Sequence, residues 1–313
     1  MTVFLLAVSS VAMLLVVAAI GFLFIKRDMM KSDVMSAFSK ILLYVCQPCL
    51  AIYSFSILEY SLETLKNIGI FALAVAVIHV VMLGGAYLVM RRKSAKAIYR
   101  IITIATTFSN CAFFGIPVIE ALLPEVASEL IAYTSIYAIV MNLFAWTVGS
   151  AIIANDLKYI SVKNIFINPS MISIAVALLL YVLRFNMPDA ALSMITTMGR
   201  MATPISMFVM GMRLATMDMR KLFSDYRVYL TVAVNQVLMP LLVFSAMYFL
   251  TFLDPYLRRT LFIISACPVA SIVLNYSEVI GEGQREAANI VLLSTILSIV
   301  TLPFIMLLLP LIN

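Results

Sequence analysis

The sequence predicts an all-α integral membrane protein, with ten transmembrane helices forming two inverted five-helix repeats and with broken helices four and nine crossing. Three observations lead there. Of 313 residues 64% are hydrophobic and only 12% charged, with a mean hydropathy of +1.10. A soluble domain of this size needs far more surface charge. The apolar runs exceed the ~18 residues that cross a bilayer as a helix. The two halves also match weakly at offsets of 156 to 158, with an interrupted apolar run at the corresponding place in each.

Ten apolar spans follow in order: 3–25, 35–58, 67–90, 101–123, 130–154, 168–184, 190–215, 226–252, 258–281 and 287–312. Span one, Val3 to Ile25, has Lys26-Arg27 after it and no positive residue before it, the reverse of a secretory signal. Span two contains Cys46-Gln-Pro-Cys49, a spacing that resembles a redox dithiol but lacks the strand–helix setting such a motif needs. It reads as packing around Pro48. Span three holds His79, the chain's single histidine, near its centre, where a neutral ring bonded to a neighbouring helix is expected. Span four is interrupted by Thr106-Thr-Phe-Ser-Asn-Cys-Ala-Phe-Phe-Gly-Ile-Pro117. Proline removes a backbone donor and clashes with the carbonyl four residues back, so the break is expected at Pro117. In lipid such a break survives only where protein or a wet cavity satisfies the freed backbone groups.

Spans five to eight are joined by short connections, and span nine carries the second interruption, between Pro268 and Asn275. Of 21 basic residues, 16 lie nearest the odd-numbered connections, including Arg91, Arg92, Lys93, Lys96, Arg100, Arg220 and Lys221. The positive-inside rule places those connections in the cytoplasm and both termini outside, in the cytoplasmic membrane. Residues 1–154 form the first repeat, 155–167 a short cytoplasmic linker, and 168–313 the second.

The repeat is read from particular pairs. Pro48 and Pro204 each stand fifteen residues past an aspartate, Asp33 and Asp189. Arg100 and Glu120 match Arg258 and Glu278; Asn110 falls opposite Pro268, and Pro117 opposite Asn275. Five spans per half is an odd number, so the second half inserts upside down. Inverted repeats with interrupted helices in matching positions are a pattern of secondary transporters, which bind substrate at the midplane.

The candidate substrate-binding residues are therefore Asn110, Pro117, Pro268 and Asn275, with half-helix N-termini aiming partial positive charge at a shared point. All 15 Asp and Glu residues fall in connections or near span ends. A cation pump would hold a carboxylate at the midplane, so this pattern favours an anionic substrate. Arg200, eleven residues past Asp189, lies about 16 Å along a continuous helix, near the centre of a ~30 Å core. It reads either as a carboxylate counter-charge or as a side chain that snorkels outward. Four cysteines and one histidine are too scattered for a metal cluster, and no cofactor is expected. The basic residues are spread over connections, so the net charge of +6 does not indicate nucleic acid.

At these residues the chain resembles the auxin efflux carrier family in its compact bacterial form. The resemblance rests on Asn110-Cys-Ala-Phe-Phe-Gly-Ile-Pro117, Asn168-Pro169, Gly199 through Leu214, Pro268 to Tyr276, and Ser294 to Pro303. It covers essentially the whole chain. It implies scaffold helices one, two, six and seven, which commonly form a homodimer contact, and transport helices three to five and eight to ten. It implies transport of small organic anions such as malate, malonate or auxin, with Asn110 at the crossover and Asn142 as a polar partner in span five. The long cytoplasmic loop of plant members is missing here. The reading is a secondary transporter of a small organic anion working by alternating access, with the lipid bilayer as its other partner. A sodium-coupled symporter of related fold and a membrane ligand sensor are the alternatives, and the coupling ion, proton or sodium, stays open.

Overall fold

The apolar runs fold as helices whose ends are set by caps and by short polar connections. A computed structural model describes residues 2–156, 158, 169–217 and 225–312. Asn168, Arg220, Lys221 and most of the expected 155–167 linker lie outside the described residues. The helices in order are α1 (Thr2–Lys26), α2 (Val34–Ser56), α3 (Leu62–Met90), α4 (Ala97–Ala105), α5 (Cys111–Leu122), α6 (Pro124–Ala154) and α7 (Pro169–Val182). After them come α8 (Asp189–Arg200), α9 (Ala202–Thr216), α10 (Tyr226–Phe249), α11 (Pro255–Ser265), α12 (Ile272–Ile280) and α13 (Gln284–Met306).

Among the described residues there is no strand, only an isolated bridge from Ser109 to Val269, and six helices are long and apolar enough to cross a membrane. Span three begins earlier than its apolar pattern, because the Ser61 hydroxyl accepts from the Thr64 N–H and caps α3. Expected spans four and nine are each two helices, α4 with α5 and α11 with α12. Span seven is divided at Met201 into α8 and α9.

The proline-based expectation for span four needs correcting. The chain leaves helical geometry at Thr106–Asn110, well before Pro117, and Pro117 lies inside α5. It follows a wide π turn, Cys111–Gly115. Pro48 stands in the same relation to the π turn Leu42–Cys46, and Pro240 to Val234–Leu238. A π turn inserts one residue, so the carbonyl that would meet the proline ring is displaced and the missing N–H costs little. These three prolines widen helices without breaking them.

Packing divides the helices into neighbourhoods. The first runs from α1, which lies along α9, to α2, which packs on α7 and α8. In the second, α3 packs on α4 and α6, and α10 on α11 and α13; α1 joins the two, packing also on α13 and α5. The α1–α9 crossing is close because glycines face backbone on both sides. A Cβ at Gly211 would lie 1.7 Å from the Ala18 carbonyl oxygen, and one at Gly21 would lie 2.1 Å from that of Phe208. Without a hydrophobic force between helices in lipid, such small-residue contacts are what hold them together. Gly211→Val should therefore lower stability by about 1–3 kcal/mol or more. Gly84→Ala, with nothing within 4 Å, should leave it unchanged. Thermal melts of both variants in one detergent test this; equal melting temperatures would refute it.

Candidate functional site

Residues 106–110 lose helix for a local reason. Thr, Ser and Asn side chains compete with the helical backbone for its own groups, as where the Thr106 hydroxyl donates to the Thr103 carbonyl at 3.1 Å. In the second break Pro268 supplies no N–H. The two gaps then complete each other. The Asn110 N–H donates to the Pro268 carbonyl at 2.7 Å, and the Ala270 N–H donates to the Phe108 carbonyl at 2.9 Å. The Val269 N–H donates to the Ser294 hydroxyl of α13 at 3.1 Å. Ser109, Asn110, Cys267 and Val269 are all buried, so these bonds replace helical ones in an apolar interior.

Beside the crossing lies a cavity of about 1250 Å³. Its wall includes residues 110–113, the first turn of α5 with the residue before it, and residues 270–272, where α12 begins. Both helix N-termini thus border one space, with their positive dipole ends nearest to it. Asn142 and Asn275 line the cavity. The Asn142 amide nitrogen donates to the Ala138 carbonyl at 2.7 Å, and Asn275 lies within α12, on the cavity side of the break. Asn110 is 4% exposed, and its amide nitrogen has no partner within the protein. The cavity also meets the connection after α1 at Ser32 and Asp33, the end of α9 at Thr216 and Met217, and the start of α13 at Gln284. It opens on the face that carries those ends.

Three expected site residues lie outside the cavity wall, Pro268 among them, held at the crossing where its carbonyl accepts the Asn110 N–H. Pro117 does not line the cavity; its carbonyl accepts from the Ser10 hydroxyl of α1 at 3.4 Å. Arg200 is exposed at the end of α8, donates to the Tyr53 hydroxyl at 3.1 Å and does not line the cavity. His79 is fully buried, but its Nδ1 donates to the Val75 carbonyl of its own helix at 2.8 Å, not to a neighbouring one. Its ring packs among Phe108, Tyr137 and Phe144.

Three features of the wall had no signal in the sequence. Trp146, the single tryptophan, sits in a π turn, Ala145–Gly149, with its ring edge-on to Tyr276 at 4.5 Å. The Trp146 Nε1 and the Tyr276 hydroxyl are buried donors without a partner in the protein. Arg213 on α9 donates to Glu278 on α12 at 2.7 Å, and both line the cavity.

This arrangement, helix termini and amides around a cavity inside an apolar helical body, defines a multi-pass membrane transporter. A family profile described as "Membrane transport protein" matches residues 6–166 and again 157–306, so two successive segments of one chain fit the same profile. The chain belongs to the auxin efflux carrier family, whose members are transporters. Among curated proteins none matches.

The crossing yields a prediction. Ser294→Ala leaves the buried Val269 N–H without its acceptor and should cost about 1–3 kcal/mol. Ser298→Ala, whose hydroxyl serves only the Thr295 carbonyl of its own helix at 2.6 Å, should cost less. Melting temperatures in detergent compare them; an equal loss would separate Ser294 from the crossing.

Proposed function

We propose that this protein is a secondary transporter of a small organic anion, a carboxylate such as malate, malonate or an auxin-like acid, in the cytoplasmic membrane. The observation that carries the reading is the pair of helix N-termini, α5 and α12, bordering one cavity beside the exchanged hydrogen bonds of the two breaks. Neutral amides and positive dipole ends favour an anion, and the lining offers few carboxylates to a cation: Asp33 and Glu278, both where the cavity opens.

The proposed architecture is ten spans in two inverted repeats, residues 1–154 and 168–313. The profile match in two successive segments supports it. Spans one, two, six and seven act as scaffold and the others as the moving body. The packing of α1 on α9 and of α2 on α7 and α8 supports that grouping. Transport is by alternating access: the crossing moves as a unit against the scaffold, carrying the site from one face to the other. With the odd-numbered connections in the cytoplasm and both termini outside, the cavity faces inward. Asn110, Asn142, Asn275 and Pro268 form or flank the carboxylate site, and Arg200 and Pro117 are left out of it.

Helix dipoles contribute about 0.3–1 kcal/mol each, up to ~2 when partly buried, far less than complete desolvation of an anion costs. The substrate therefore keeps water around it or meets a cationic side chain on the way.

Proteoliposome flux of labelled malonate, malate and indole-acetate tests the proposal. Wild type should move at least one of them, and Asn110→Ala should cut that flux by about tenfold or more, the scale of one lost hydrogen bond to a charged group. Flux of none, or full flux in the variant, would overturn the assignment. Equal flux in sodium-free buffer would remove sodium as the coupling ion.

A further inference from the structure

The charged residues lining the cavity are Asp33, Arg213, Glu278 and Arg285. One pair among them joins helices from different neighbourhoods. Arg213 lies in the last turn of α9, which packs on α1 and α2. Glu278 lies near the end of α12, which packs on α13, α6 and α4. Their contact of 2.7 Å therefore reaches between the two groups of helices at the cavity mouth. The side chains are 25% and 47% exposed.

We propose that Arg213 is the cationic side chain that receives the substrate carboxylate, and that Glu278 is a resident carboxylate which the substrate displaces. The inference rests on the anion-transport reading above and assigns that site its charge. A guanidinium presents a planar fork matched to a carboxylate, and Glu278 engages it through one contact, Nη1 to Oε1 at 2.7 Å, leaving the rest of the fork to an incoming carboxylate. Ion pairs this exposed contribute little to stability, so exchanging one carboxylate for another is nearly balanced. A deeply buried pair would resist it, because breaking such a pair leaves an uncompensated charge. Exchange has a second consequence. Once Arg213 holds the substrate, the charged tie between α9 and α12 is gone, which removes one link between the two groups of helices at the cavity mouth. Anion binding and loss of that link become one event. Arg200, which the sequence offered for the counter-charge, is held by Tyr53 away from the cavity.

The experiment uses the full chain in detergent, titrated with malonate, malate and acetate. Fluorescence of Trp146, which lines the same cavity and is the only tryptophan, is the readout. Glu278→Gln removes the competitor and should bind the anion about two- to fivefold more tightly, the weight of an exposed pair. Arg213→Gln should bind at least about fivefold more weakly, having lost a charge-assisted partner. A purely structural pair predicts that both variants bind alike or that both weaken, and either result overturns the proposal. Arg213→Lys, which keeps the charge, guards against misfolding: if it also fails to bind while Glu278→Gln is not tighter, the proposal falls. Wild type that responds normally while Glu278→Gln gains nothing removes this inference alone. Wild type that ignores all three anions removes the transport reading, and this inference with it.

Discussion

The structure depends on the exchange of two backbone hydrogen bonds between 108–110 and 268–270. An unsatisfied amide or carbonyl in an apolar interior costs several kcal/mol, so a helix cannot simply stop inside a membrane protein. Here each interrupted segment supplies what the other lacks. From Ala266 to Ala270 in the second break each N–H has an acceptor: Ala266 and Cys267 turn back on α11, Val269 finds Ser294, and Ala270 finds Phe108. Pro268 has no N–H to place. Because main-chain groups and the Ser294 hydroxyl satisfy the crossing, the Asn110 amide nitrogen is left without a protein partner beside the cavity.

That constraint positions the rest. With both breaks at one point, α5 and α12 begin there, and their N-termini border the same space. Ser294 ties the crossing to α13, and the Gln236 amide reaches the Ser294 carbonyl at 2.7 Å while its oxygen accepts from Thr301 at 2.9 Å. The crossing, α10 and α13 thus form one bonded unit. On the other side, α1 and α9 meet through glycines. A body held by hydrogen bonds thus stands beside one held by close apolar packing, with α1 packed against both.

Widened turns are the second recurring device. The π turns of α2, α5 and α10 precede prolines, and that of α6 carries Trp146 to the cavity wall. An extra residue in a turn rotates everything after it, so a side chain can be re-aimed without ending the helix. The Trp146–Tyr276 contact, between α6 and α12, depends on such a turn.

By itself the sequence determined the class of protein, the positions of the apolar spans, and the two segments that are interrupted, because solvent and bilayer impose composition and length directly on the chain. It singled out Asn110 and Pro268 as members of the two interruptions, and the Asn110 N–H donates to the Pro268 carbonyl. What tertiary structure decided was which interruption is a break. Pro117 reads as a helix breaker, yet a π turn absorbs it, whereas Thr106–Asn110, without proline, does break because a partner lies across from it. Arg200 reads either as a deep counter-charge or as an outward-reaching side chain, and it is exposed, donating to Tyr53 of α2. Trp146, Tyr276 and the Arg213–Glu278 pair come together from residues 65 to 130 positions apart, and no local periodicity carries such distances. Local pattern reports what a segment prefers against water or lipid; only the packed neighbours determine which of its polar groups are used and which are left to bind something else.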